Sequence, residues 1–153
     1  MVRLVNFSYQ GYYRYFITLR CFQQASYFRD DEVVAKALSV LQDTAKRRNF
    51  CVWAYCFMPD HVHLLIEGKR ADADMANFVS VFKQRTAFWF GGLFKAKLWQ
   101  PGYYDRVLRK DENTSAVVRY MFENPVRKRI VTDYLQYKNS GSLELTDIRQ
   151  LFE

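Results

Sequence analysis

The sequence predicts an α+β fold built on a four-stranded antiparallel sheet, and three observations predict it. Four short runs have the alternating or continuous apolar pattern of strands: they lie at 13–20, 51–57, 61–67 and 103–109. Between them, two segments carry apolar residues at helical spacing. The resulting order, β-α-β-β-α-β, is typical of the ferredoxin-like fold, in which both helices lie on one face of the sheet.

The first strand and first helix follow from local patterns. Residues 13–20 alternate, so Arg14, Phe16, Thr18 and Arg20 share one strand face. The first helix begins at Asp30-Asp31, where a side chain can cap the free N–H groups. It ends at Arg47-Arg48-Asn49, because cations suit the negative end of a helix and asparagine tolerates a left-handed cap.

The middle of the chain contains a hairpin followed by the second helix. Strands 51–57 and 61–67 are joined by a short turn at Pro59-Asp60. The second helix starts after Asp72 or Asp74, and we expect Gly91-Gly92 to stop it. The fourth strand is 103–109.

A third helix begins near Thr114, and we expect it to pack on the other face of the sheet. We expect it to end near Asn124, because proline disfavours helical geometry at the residue before it. The tail 132–153 is polar, with a loop at 138–142 and a short helix after it. The chain is predicted to form a single domain with its core at about 10–131.

Composition narrows the class of protein. A hydrophobic content of 50% argues against disorder. No apolar run is long enough to predict a membrane span, and the first residues do not resemble a signal peptide. The three cysteines are odd in number and widely spaced, which favours reduced thiols and a cytoplasmic location.

The chain is basic, with a formal net charge of +7, and its cations cluster near aromatic residues. A solvated cationic surface is one interpretation; a groove that binds single-stranded nucleic acid is the other. The candidate phosphate contacts are Lys83, Arg85, Arg106, Arg109, Lys110, Arg127, Lys128 and Arg129. The candidate base-stacking residues are Trp99, Tyr103 and Tyr104.

Two histidines, His61 and His63, are the only ones in the chain and alternate along the third strand. Side chains at i and i+2 share a strand face, so the two imidazoles can form half of a metal site. Glu67 shares that face and could be a hydrogen-bond partner for an imidazole, or a solvated strand end. Two structural histidines are the alternative interpretation of the pair.

The third helix carries Tyr120 and Asn124 one turn apart, so both can face the imidazoles. The Asn124 amide oxygen would complete a site for Mn²⁺ or Mg²⁺, although the residue also suits a helix end. Tyr120 could then attack a phosphate held on the ion. Such help is needed, because a tyrosine hydroxyl is a weak nucleophile at neutral pH.

The run MPDHVHLLIE, followed by Tyr120-x3-Asn124-Pro125-Val126-Arg127, resembles the HUH-type single-tyrosine transposases, and most closely their REP-associated branch. The resemblance covers about residues 10–140. It implies that His61, His63 and Asn124 bind the metal ion and that Tyr120 is the nucleophile. It also implies Mg²⁺ or Mn²⁺, cleavage of single-stranded DNA beside a hairpin, and a 5′-phosphotyrosine with a free 3′-OH. Insertion-sequence relatives usually carry glutamine where this chain has Asn124.

Other functions stay open on the sequence. One is a non-catalytic protein that binds hairpin DNA of the REP type; another is a replication or relaxase-type nickase, although those proteins commonly carry a lysine near the tyrosine or two tyrosines. The family includes dimers that share active sites and proteins that act alone, so a homodimer or a monomer is expected.

Overall fold

The computed structural model describes residues 4, 7–109 and 112–152. Its main elements, in chain order, are β1 (Arg14–Arg20), α1 (Asp31–Arg48), β2 (Phe50–Met58), β3 (His61–Gly68), α2 (Met75–Phe94), β4 (Tyr104–Val107), α3 (Thr114–Arg127) and β5 (Ser140–Gly141). Short 3₁₀ turns lie at Phe22–Gln24, Tyr27–Arg29, Tyr134–Gln136 and Ile148–Leu151. The last of these is the short helix predicted in the tail.

The strands form one antiparallel sheet in the order β4-β1-β3-β2-β5. The main core lies between one face of this sheet and helices α1 and α2. A second apolar cluster lies between the other face and α3. The predicted fold class and layer arrangement are thus confirmed. None of the helices among the described residues has the length and apolar character needed to cross a bilayer.

A fifth strand corrects the prediction of four strands and a loop at 138–142. Ser140 and Gly141 pair with Cys56 and Tyr55 of β2. The Phe57 N–H also donates to the Asn139 carbonyl at 2.8 Å. A two-residue strand has no periodicity to detect, and it forms here because the tail satisfies backbone groups along the edge of β2.

The two long helices on the core side begin as predicted, but only α1 also ends as predicted. The Asp30 carboxylate caps α1 by accepting from the Glu32 N–H, and Asn49 ends it with φ 65°. By contrast, α2 continues through Gly91-Gly92 to Phe94. The stacked rings of Phe90 and Phe94, 4.6 Å apart, span the two glycines and offset their weak helix propensity.

The predicted end of α3 is also wrong, because the helix continues through Pro125 to Arg127. Pro125 lies in the last turn, where its missing N–H costs one internal hydrogen bond. Asn124 and Pro125 are both buried, and packing holds the helical geometry there. The extra turn brings Arg127 onto the same helix face as Tyr120.

Gly68 at the end of β3 allows the N-terminal segment to cross it closely. A Cβ on Gly68 would lie 1.8 Å from the carbonyl oxygen of Gly11. Gly92, on the exposed side of α2, has no atom within 4 Å of the same test position. Position 68 therefore requires glycine for steric reasons, whereas position 92 has room for a larger side chain.

We expect Gly68→Ala to lower the free energy of unfolding by about 1–3 kcal/mol, because the backbone of Gly11 has to shift. Gly92→Ala is the matched control and should raise it by about 0.5–1 kcal/mol, since alanine favours the helix. Urea unfolding followed by circular dichroism measures both. Equal stability of wild type and Gly68→Ala would contradict the close approach.

Candidate functional site

Two imidazoles meet on the face of the sheet that α3 covers. His61 and His63 lie on β3, and only 8% and 7% of their surfaces are exposed. Their Nε2 atoms are 3.2 Å apart. Two cis ligands of an octahedral ion with bonds of about 2.1 Å lie about 3 Å apart, so this spacing fits a shared divalent ion.

Two polar groups hold the outer nitrogens of the imidazoles. Asp60 Oδ1 lies 2.7 Å from Nδ1 of His61, and Thr18 Oγ1 lies 2.8 Å from Nδ1 of His63. An ionised carboxylate only accepts, so Nδ1 of His61 carries the proton and its Nε2 keeps a lone pair. The Thr18 hydroxyl both donates and accepts, so it suits either neutral tautomer of His63.

The site favours neutral imidazoles. Burial lowers the pKa of His63 to about 3, and repulsion from His61 when it is protonated, and from Arg20 and Arg127, acts in the same direction. Burial also lowers the pKa of His61, although the hydrogen bond that His61 donates to the Asp60 carboxylate opposes this shift. A neutral imidazole is the form that binds a metal ion.

Helix α3 adds a third donor to the pair. The Asn124 side-chain amide is buried, and its nitrogen lies 3.4 Å from Nε2 of His61. Rotating the amide by 180° presents its oxygen at the same place. Within the described part of the chain, no three His, Cys, Asp or Glu side chains converge. Two imidazoles and one amide are therefore the donor set that fits an ion here.

Tyr120 lies one helical turn before Asn124 and faces solvent, with 56% of its surface exposed. It lines one open groove of about 790 Å³ together with His63 and Arg20. The Arg127 guanidinium lies 4.3 Å from the centre of the Tyr120 ring and donates to the Tyr120 carbonyl at 2.7 Å. The contact of the guanidinium with the ring favours this orientation of the Tyr120 side chain.

The predicted contact between Glu67 and an imidazole is wrong. The Glu67 carboxylate accepts from Arg14 at 2.9 Å and from the Trp53 indole at 3.0 Å. Glu67 shares the histidine face, but it lies at the far end of β3, and Asp60 and Thr18 hold the imidazoles instead.

The predicted DNA-contacting residues divide into two groups. Arg106 and Tyr104 line the groove, and Arg106 is paired with Glu112. Arg109 lines a neighbouring groove. Arg127, Lys128 and Arg129 are exposed at the end of α3. Lys110 lies outside the described residues.

The second group lies away from the groove. Lys83 donates to the carbonyls of Gln100 and Gly102, and Arg85 pairs with Asp43 on α1. Trp99 is buried in the main core and donates to Thr86, so its predicted stacking role is wrong. Tyr103 packs against the same core. Lys83, Arg85 and Tyr103 make contacts within the fold and do not line this groove, and their predicted DNA contacts stay predictions.

Three residues that lie at the site were not predicted from the sequence: Asp60, Thr18 and Arg20. Asp60 directly precedes His61, and a carboxylate beside a ligand-like histidine is a signal in itself. Thr18 and Arg20 were placed on a common strand face, but only the register reveals that they lie opposite His63 and His61.

Comparisons with known proteins identify related sequences and folds. The family described as IS200-like transposases has a sequence profile that matches residues 9–124. The fold is similar to that of a REP-associated tyrosine transposase solved with a REP hairpin: the TM-score is 0.73 at 18% identity, over 92% of this chain and 82% of that chain. It is also similar to a protein from Deinococcus radiodurans described as a transposase, with a TM-score of 0.53 at 25% identity, over 81% of this chain and 97% of that one. No curated protein sequence matches the chain.

We expect the metal-free protein to lose stability in mild acid through His63. Its pKa of about 3 lies below the ordinary 6.5, so the unfolded chain binds more protons between these values. The free energy of unfolding should therefore fall as the pH falls from 7 to 5, by at most about 1.4 kcal/mol per pH unit for this group.

Urea unfolding in buffer with EDTA measures this dependence, with His63→Gln as the comparison. The pH dependence of the variant should be weaker than that of wild type, because glutamine at position 63 cannot take up a proton. The contribution of surface carboxyl groups is the same in both proteins and cancels in the comparison. The same dependence in both proteins would contradict a neutral, buried His63.

Proposed function

The chain belongs to the IS200-like transposase family, and we propose that it cuts and rejoins single-stranded DNA beside a hairpin through a covalent bond between Tyr120 and a 5′ phosphate. One observation carries this proposal. The Nε2 atoms of His61 and His63 on β3 are 3.2 Å apart, and the Asn124 side-chain amide on α3 lies 3.4 Å from Nε2 of His61. Tyr120 lies one helical turn before Asn124.

We propose that His61, His63 and Asn124 hold Mg²⁺ or Mn²⁺. Two imidazoles and an amide favour Mn²⁺ by intrinsic preference, whereas abundance favours Mg²⁺. When bound, the ion polarises the scissile phosphate and stabilises its developing negative charge. Asp60 and Thr18 keep the imidazole rings in the orientation that this requires.

Tyr120 supplies the nucleophile in this proposal. Its hydroxyl oxygen forms a bond to phosphorus as the bond from phosphorus to the 3′ oxygen breaks. The phenolic proton passes to solvent, which reaches this exposed side chain, and the 3′ oxygen takes up a proton. The products are a 5′-phosphotyrosine and a free 3′-OH. Because the phosphodiester energy is kept in the new bond, a 3′-OH can attack it and rejoin DNA without ATP.

Arg127 prepares Tyr120 for this step. Its guanidinium is anchored to the Tyr120 main-chain carbonyl and packs on the Tyr120 ring, which favours one orientation of the side chain before DNA arrives. Fixing the nucleophile in advance lowers the entropy cost of reaching the attack geometry.

The groove supports a single strand as substrate. Tyr104 offers an exposed ring on which a base can stack, and the net charge of +7 favours a polyanion. Arg127, Lys128 and Arg129 would continue the phosphate path from the end of α3. The hairpin part of the proposal is supported by the similar fold that was solved with a REP hairpin.

We further propose that one chain contains a complete site. Asn124 reaches His61 within the same chain, so no partner is needed to bring the helix to the strand. The tail is held by β5 on β2 and by Phe152 against Phe122 of α3, which supports a single domain that includes 132–152.

The direct test uses hairpin oligonucleotides with single-stranded flanks, synthesised from palindromic repeats of the genome that encodes this chain. Wild type with Mn²⁺ or Mg²⁺ should form a covalent protein–DNA adduct that survives denaturing electrophoresis. EDTA should abolish it, and so should Tyr120→Phe, because the phenol lacks its hydroxyl. Tyr104→Phe, which keeps the ring, is the matched control and should retain the adduct. Binding without any adduct would support the non-catalytic alternative instead.

A mixing experiment tests whether the site lies within one chain. Tyr120→Phe lacks the nucleophile and His63→Ala lacks a ligand, so each alone should be inactive. If each chain uses only its own residues, the mixture should also be inactive. Recovery of up to about a quarter of wild-type adduct, as expected for random exchange between two chains, would show a site shared between chains.

A further inference from the structure

Arg20, the last residue of β1, lies beside the histidine pair. The strand register places Arg20 opposite His61 on the neighbouring strand. Arg20 lines the groove that also contains His63 and Tyr120. Its side chain is exposed, so the guanidinium can reach a molecule in that groove.

Three arginines lie on the sheet face that α3 partly covers, and they differ in their partners. Arg14 is paired with Glu67, and Arg106 is paired with Glu112. Among the described residues, no acidic side chain pairs with Arg20. Of these three arginines, Arg20 is the one whose strand partner is a histidine, and no acidic side chain in the described part of the chain neutralises its charge.

This placement opposes the binding of a cation unless an anion joins it. A guanidinium beside two metal-binding imidazoles repels a divalent ion. A phosphate oxygen between the two positive charges reverses that effect, because it is attracted to both. An unpaired arginine at this place thus indicates an anionic ligand, and its planar fork matches two oxygens of one phosphate.

We propose that Arg20 is a catalytic residue that binds the non-bridging oxygens of the scissile phosphate while Tyr120 attacks. The proposal rests on the proposed function. Charge accumulates on these oxygens in phosphoryl transfer, and a positioned guanidinium stabilises it. No bond to Arg20 forms or breaks, and it remains protonated throughout.

The first test measures single-turnover adduct formation at saturating hairpin oligonucleotide. Arg20→Ala should slow it about 10²-fold, as expected for the loss of one transition-state donor. Arg20→Lys should lose about tenfold, because it keeps the charge but not the fork. Arg48→Ala removes an exposed arginine at the end of α1, on the other side of the sheet, and should stay within twofold of wild type. An Arg20→Ala rate within twofold of wild type would overturn the proposal and leave the transposase chemistry intact.

The second test does not depend on cleavage. In a Tyr120→Phe background with EDTA, the affinity for a fluorescein-labelled hairpin oligonucleotide is measured at several salt concentrations. Arg20→Ala should reduce the slope of log K against log[salt] by about 0.7, the value for one phosphate contact on a single strand. Arg48→Ala should leave it unchanged. An unchanged slope for Arg20→Ala would refute the phosphate contact even if wild type forms no adduct.

A third measurement separates a contact with DNA from damage to the site. Mn²⁺ binding in the absence of DNA, followed by electron paramagnetic resonance, should be as tight or tighter in Arg20→Ala, because a repelling charge is removed. Weaker Mn²⁺ binding in this variant would show that Arg20 supports the fold of the site, and would overturn its assignment to the phosphate.

Discussion

The site depends on the packing of α3 against the sheet face opposite α1 and α2. The helix buries Val118, Met121 and Phe122 against Phe16 and Leu65 of the sheet. Each such side chain contributes about 1.5–3 kcal/mol on burial, whereas a single hydrogen bond contributes about 0.5–1.5 kcal/mol. The apolar cluster therefore sets the position of α3, and the contact of Asn124 with His61 follows from it. A helix held by many apolar contacts keeps its polar donors in place before any ligand arrives.

The two imidazoles are held by groups of different chemistry, and the difference matters. Asp60 fixes the proton of His61 on Nδ1, because a carboxylate accepts only. Thr18 imposes no such choice on His63. Without an ion, the two Nε2 atoms 3.2 Å apart are compatible with a hydrogen bond in which His63 donates to His61. With an ion, both need lone pairs, and the Thr18 hydroxyl can turn to accept from Nδ1 of His63. The pair can thus remain buried and satisfied in either state.

Strand alternation was enough to predict that His61 and His63 share a face, and helical spacing placed Tyr120 with Asn124 on α3. Sharing a face does not mean proximity, however: Glu67 lies six residues from His61, about 20 Å along a strand, and finds other partners. The position of Arg20 opposite His61 depends on register, which strand alternation alone does not supply. The end of α3 at Arg127 was missed because tertiary burial overrode the local effect of proline. Local rules thus predicted which side chains point together, and long-range packing determined which of them meet.

The charge of the site explains why the ion and DNA depend on each other in the proposed function. The three proposed ligands, His61, His63 and Asn124, carry no formal charge when neutral, so they do not offset the two positive charges of a divalent ion. The Asp60 carboxylate contacts Nδ1 of His61, on the side of the ring away from the proposed ion. Arg20 adds a further positive charge to the groove. In the proposed function, the phosphate of the substrate would neutralise this excess. Because each charge lowers the electrostatic cost of binding the other, thermodynamic linkage requires the ion to strengthen DNA binding and DNA to strengthen ion binding by the same factor. A site without acidic ligands of its own should therefore bind its metal ion tightly only when the DNA strand to be cut is also bound.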